Sequence, residues 1–121
     1  VYNNSSEDET EFIVAEDADL ALNHVLNFPN PFTTNTVFHF DHNKPGQQLD
    51  VHLQVLTPSG RIVKSFFTSL DGAEAHFDDF EWDGKDEFGD KLARGVYLYK
   101  VTAKAEDGTM ADVTQKLVIL K

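Results

Sequence analysis

The stretch "LDVHLQVL", residues 49–56, alternates apolar and polar side chains from Leu49 to Val55. Leu49, Val51, Leu53 and Val55 fall on one face, and Asp50, His52 and Gln54 fall on the other. A helix repeats every 3.6 residues, so a period of two marks a strand with one buried face and one wet face. The same period returns in "GVYLYKVTAKA" (95–105), where Tyr97, Tyr99, Val101, Ala103 and Ala105 oppose Lys100, Thr102 and Lys104. "TVFHFD" sets Phe38 and Phe40 on one side, and "ADVTQKLVIL" (111–120) sets Val113, Leu117 and Ile119 on one side. "RIVKSFFT" (61–68) is rich in β-formers with a looser alternation. In "HFDDFEW" (76–82), Phe77, Phe80 and Trp82 break strict alternation, which predicts a bulge or bend. No segment keeps a helical period over ten residues.

Turn dipeptides separate these runs: Pro45–Gly46, Ser59–Gly60, Asp71–Gly72, Asp83–Gly84 and Asp107–Gly108. The first four stand 14, 12 and 12 residues apart. About seven short strands at such intervals predict an all-β fold, an antiparallel β-sandwich. The 121 residues make room for one domain, and ten phenylalanines furnish its core. Residues 1–25 read as an acidic linker or the tail of a preceding domain, and residues 26–121 as the domain proper. "EFIVAED" (11–17) reads as one short strand; "ADLALNHVL" (18–26) reads either as a helical turn or as a strand. The chain opens on Val1 rather than Met, so we read it as part of a longer protein.

"NFPNPF" (27–32) marks the boundary. Each residue before a proline is pushed toward extended backbone. Pro29 and Pro31 lack N–H donors on the same edge, so the stretch is expected to pair on one side only, as an edge strand with Phe28 and Phe32 anchored in the core.

Composition narrows the function classes. The formal net charge is −11. Seven acids and no Lys or Arg lie within residues 1–24, and the remainder carries 14 acids against 10 basic residues. Neither part offers the basic face that nucleic acid or an anionic membrane requires. The absence of cysteine excludes a thiol nucleophile, disulfides and thiolate metal sites. No apolar run approaches the roughly 18 residues of a membrane helix.

Catalytic chemistry finds no foothold in this stretch. Ser59 sits in a turn, and no Gly-x-Ser-x-Gly elbow occurs. The acidic run "DDFEWDGKDEFGD" (78–90) makes Asp83, Asp86 and Asp90 the calcium candidates, but its spacing does not follow the EF-hand loop. A solvated loop with carboxylates capping turns accounts for it equally. His39 and His42 form a His-x-x-His pair without cysteine partners; His39 and His52 are expected on outer strand faces. These readings imply no metal and no cofactor.

Three motifs occur together: "NFPNPF" at 27–32, "FEWDGKDEFGDKLARGVYLYKV" at 80–101, and "QKLVILK" at the C-terminus. In combination they resemble the C-terminal sorting domain of proteins exported by the type IX secretion system of Bacteroidetes-type bacteria. The chain is also similar to the immunoglobulin-like domain of flagellar hook-capping proteins, which shares the "WDG…GVY" stretch. The resemblance implies an immunoglobulin-like sandwich that serves as an export address. It implies transit through the periplasm and arrival at the outer membrane and cell surface. Its partners would be the translocon and the surface attachment and sortase complex. The recognition residues carried over are Gly95, Val96, Tyr97, Lys100, Lys116, Leu117, Val118, Ile119 and Lys121. The parent chain favoured by the resemblance is the sortase itself, a gingipain-type cysteine peptidase, while this stretch is not itself an enzyme. The terminal strand offers itself for strand addition to another chain. Two other readings stand beside this one. The domain would be an adhesive, carbohydrate- or protein-binding module if Tyr97 and Tyr99 faced solvent, or an accessory domain of a surface cysteine peptidase.

Overall fold

The computed structural model describes residues 19–120. The strand read at 11–17 lies outside the described residues. Seven strands follow in chain order: β1 (Leu22–Phe28), β2 (Thr36–His42), β3 (Leu49–Leu56), β4 (Ile62–Leu70), β5 (His76–Trp82), β6 (Gly95–Ala105) and β7 (Met110–Ile119). They form two antiparallel sheets, ordered β1-β2-β5 and β4-β3-β6-β7. The chain crosses between sheets from β2 to β3, from β4 to β5 and from β5 to β6, a sandwich of immunoglobulin-like type.

The alternating strands fold as their period dictates. Leu49, Val51, Leu53 and Val55 are fully buried, and so are Tyr99, Val101 and Ala103 beside them. The facing sheet contributes Phe38, Phe40, Phe77, Phe80 and Trp82. The layers interlock through rings: Phe38 meets Tyr99 edge-on at 4.9 Å and Phe66 stacks on Phe80 at 5.1 Å, while Phe40 stacks on Phe77 within one sheet at 4.8 Å. Such pairs add about 0.5–1.5 kcal/mol beyond the area they bury.

The bulge expected in β5 is present. Phe38 opposes Phe80 while Phe40 opposes Phe77, so Asp78 and Asp79 together face a single residue, His39. The extra residue lets Phe77 and Phe80 both point inward. A second bulge lies in β1, where Asn23 pairs with Asp41 but Leu26 pairs with His39. "ADLALNHVL" resolves as strand from Leu22 onward, with Leu20 in the core.

"NFPNPF" departs from the expectation. β1 ends at Phe28, residues 29–31 bend, and both bonds into Pro29 and Pro31 are cis. Phe32 anchors in the core at 2% exposure, but Phe28 is 69% exposed. The cause is Asn27. It takes the inward position, its amide donating to Thr36 Oγ1 at 3.1 Å, and alternation then turns Phe28 outward.

Candidate functional site

The residues that carried the resemblance gather at one end of the sandwich. β6 and β7 form a hairpin whose register sets Gly95 opposite Ile119, Val96 opposite Val118, Tyr97 opposite Leu117 and Lys100 opposite Thr114. Leu117 and Ile119 are buried, fixing the strand to the core. Val96 and Val118 turn to the outer face, where Val96 is 46% exposed. Lys116 is exposed and opposes Leu98, and Lys100 is half-buried on the outer face. Gly95, at φ +146°, begins β6 in a conformation that side-chain-bearing residues rarely adopt. Tyr97 is buried and its hydroxyl donates to Ala93 O at 2.8 Å, a tyrosine corner at the start of the strand. Lys121 lies outside the described residues.

β7 is the edge strand of its sheet, and its last third is covered by "NFPNPF". Phe32 N–H donates to Val118 O at 3.1 Å, and Leu120 N–H donates to Phe32 O at 2.8 Å. Two residues earlier a side chain continues the ladder. Asn30 Nδ2 donates to Lys116 O at 3.2 Å, and its Oδ1 accepts from Val118 N–H at 3.0 Å. An asparagine amide presents the same donor–acceptor pair as a peptide group, so it completes an edge where the proline backbone cannot donate. This role was not evident in the sequence, where Asn30 reads only as an extended position before a proline.

The tryptophan loop joins the same unit. Phe32 packs on Trp82 with ring centroids 5.7 Å apart, and Trp82 Nε1–H donates to Lys85 O at 2.8 Å. Gly84 adopts φ +81°, and a Cβ there would lie 3.5 Å from the Phe32 ring. Phe32, Thr34, Gly84, Lys91, Leu92 and Ile119 help line a cleft of about 370 Å³ between the three motifs.

The calcium candidates do not converge as ligands. Asp83 Oδ1 accepts from Lys85 N–H at 3.1 Å, while Asp86 Oδ1 accepts from Phe88 N–H and Asp90 N–H, each at 2.9 Å. These are turn caps within the loop. Neighbouring Glu87 instead covers the far edge of the sheet. Its carboxylate accepts from Ser65 N–H at 2.7 Å, and its own N–H donates to Val63 O at 3.1 Å.

The His-x-x-His pair also parts. His39 lies on the outer face and His42 is buried. Both His42 nitrogens are engaged, Nε2 with Glu74 O and Nδ1 with Lys44 N–H. Lys44 makes a tie that sequence reasoning missed. Its side chain is 3% exposed and its Nζ lies 2.8 Å from Asp107 Oδ2. Lys44, with the Thr109 N–H and hydroxyl, holds the Asp107 carboxyl well below the ordinary carboxylate range. Burial pushes the Tyr99 phenol up from its ordinary value.

The sequence profile of the FlgD Ig-like domain matches residues 30–107, more than half of the chain. The chain belongs to the FlgD Ig-like domain family. No curated protein matches it. Among solved structures, this FlgD Ig-like domain is similar to dimeric latent PorU from Porphyromonas gingivalis. The TM-score is 0.72 at 25% identity, over 85% of this chain and 10% of PorU. It is also similar to FlgD from Xanthomonas campestris, whose structure bears on hook capping in flagellar assembly. There the TM-score is 0.57 at 18% identity, over 83% of this chain and 69% of that one. The domain thus spans about a tenth of the PorU chain it matches. The second likeness shows the fold alone. The family describes an immunoglobulin-like module and supplies no catalytic residue set. No described helix is long and apolar enough to cross a membrane.

Proposed function

We propose that this FlgD-type Ig-like domain is a sorting domain of the type IX secretion system. It would be read at its β6–β7 hairpin by the translocon and the surface attachment machinery. The observation that carries the reading is the meeting of "NFPNPF", the tryptophan loop and the terminal strand in one unit, the first and last joined by hydrogen bonds and the loop by packing of Trp82 on Phe32. The motifs lie far apart in the chain, and their joint presence is what the resemblance rests on. The likeness to PorU, at 25% identity over most of the domain, supports the same reading. In this reading Val96, Lys100, Lys116 and Val118 face the receptor. Tyr97, Leu117 and Ile119 hold the strand in place, and the outer edge of β7 near Met110–Thr114 accepts a partner strand. The address delivers its parent to the outer membrane and cell surface. The parent on this reading is the system's cysteine-peptidase sortase, and the domain itself is non-catalytic.

The adhesive reading took Tyr97 and Tyr99 as its candidate solvent-facing aromatics, and both are buried.

The test is export of the full-length parent. Removing residues 115–121 is expected to leave the protein in the periplasm. Because Leu117 and Ile119 are core residues, the companion variant is Lys116→Glu combined with Val118→Asp, which changes the outer face. Loss of surface protein with the domain still folded supports the reading. Normal surface delivery by both variants overturns it.

A further inference from the structure

The outer face of the three-stranded sheet carries a group of side chains that the sorting role does not use. His39 on β2 lies beside His76 and Asp78 on β5, and the donor atoms of all three lie within 4.8 Å of one another. We propose that His39, His76 and Asp78 form a binding site for a borderline divalent cation of the zinc type. Two imidazole nitrogens and one carboxylate suit zinc, whereas calcium and magnesium take oxygen ligands.

Three features argue for the site. The first is spacing. His39 Nδ1 and His76 Nε2 are 3.3 Å apart. Two nitrogens on a tetrahedral zinc at about 2.0–2.1 Å stand roughly 3.3–3.4 Å from each other. The second is orientation. His76 Nδ1 lies 2.7 Å from Asp41 Oδ1, which directs Nε2 toward His39. A carboxylate behind an imidazole is the usual outer support of a zinc-bound histidine. The other Asp41 oxygen lies 2.9 Å from His24 Nδ1. The third is backbone. Both bulges of this sheet flank His39. The β5 bulge turns Asp78 and Asp79 together to the outer face. The β1 bulge holds His24 at φ +55°, a left-handed conformation that is uncommon for residues other than glycine. Bulges that re-aim side chains recur next to functional sites.

In the metal-free protein a single proton serves the two rings: His39 Nδ1–H donates to His76 Nε2. Binding replaces that proton with the cation. His39 then takes its other neutral tautomer: the Nδ1 proton leaves to solvent and Nε2 takes one up, so no net proton is released. Three protein ligands leave a fourth position for water, beside a patch formed by exposed Leu26 and Phe28.

The experiment is titration of the untagged chain with zinc chloride in chelator-free buffer, followed by calorimetry. Cobalt(II) serves as a spectroscopic substitute reporting tetrahedral coordination. One ion per chain is expected. His39→Ala, His76→Ala and Asp78→Ala should each weaken binding at least tenfold. Asp41→Asn should weaken it by about 10–100-fold, as outer-shell partners do. His52→Ala, on the opposite sheet, should leave it unchanged. These residues are exposed or half-exposed, and circular dichroism checks that each variant folds. Absence of zinc binding overturns the proposal, as does binding that survives both histidine substitutions. Either result would mean that the pair is a hydrogen bond between rings and nothing more.

Discussion

Asn30→Ala isolates the contact that joins the prolines to the terminal strand. Asn30 contributes two hydrogen bonds, at 3.2 Å to Lys116 O and 3.0 Å from Val118 N–H. Each is worth about 0.5–1.5 kcal/mol net, and the solvent-accessible position puts both in the lower half of that range. Their joint loss should cost about 1–2 kcal/mol. At about 4–8 °C per kcal/mol for a domain near this size, Tm should fall by roughly 4–16 °C. Amide exchange should speed up by roughly 5–30-fold, the factor that one to two kcal/mol represents, at Val118 and at those β3 amides that exchange through global unfolding. Asn30→Asp sharpens the test. It keeps the acceptor for Val118 N–H but turns a carboxylate oxygen toward Lys116 O, so it should lose at least as much as alanine. Calorimetry and hydrogen exchange read both variants. If Tm and Val118 exchange match the parent within error, the asparagine does not substitute for a strand backbone and the reasoning fails.

Two further outcomes follow from the same geometry. Gly84→Ala should destabilise by about 1–2 kcal/mol, because φ +81° is costly for any residue with a Cβ; urea denaturation measures it, and a change below about 0.3 kcal/mol would refute the strain. The Asp107 carboxylate, depressed by Lys44 and Thr109, should stabilise the fold fully above its ordinary pKa of about 3.9 and lose that contribution as pH falls below it. The stability gap between the parent and Asp107→Asn should therefore narrow from pH 5 toward pH 2, and a gap that widens on acidification would contradict the assignment.

Much of the fold was legible because strands with one wet face write their period into the chain. Leu49–Val55 and Tyr97–Ala105 could be assigned to the core directly, and the displaced Phe77, Phe80 and Trp82 marked the bulge. Legibility failed where side chains stand in for backbone. Nothing in the residue pattern marks Asn27 for the interior, yet it is buried and turns Phe28 outward. Nothing in the pattern around Lys44 predicts burial, yet its side chain is buried against Asp107. The histidine pairing suggested by spacing, His39 with His42, joins residues on opposite faces of a strand, while the actual neighbour of His39 comes from β5.

The class of fold, the approximate strand limits, the turn positions and the family motifs can all be read along the chain. These are local properties, set by side-chain period and by glycine at positive φ. Tertiary structure alone decided which motifs touch. Phe32, Trp82 and Ile119 come together because two sheets must bury their apolar faces against each other, and that requirement acts on residues far apart in the chain. The same packing brought His39, His76 and Asp78 to one outer face, since strand register and two bulges, rather than sequence spacing, set what stands opposite what.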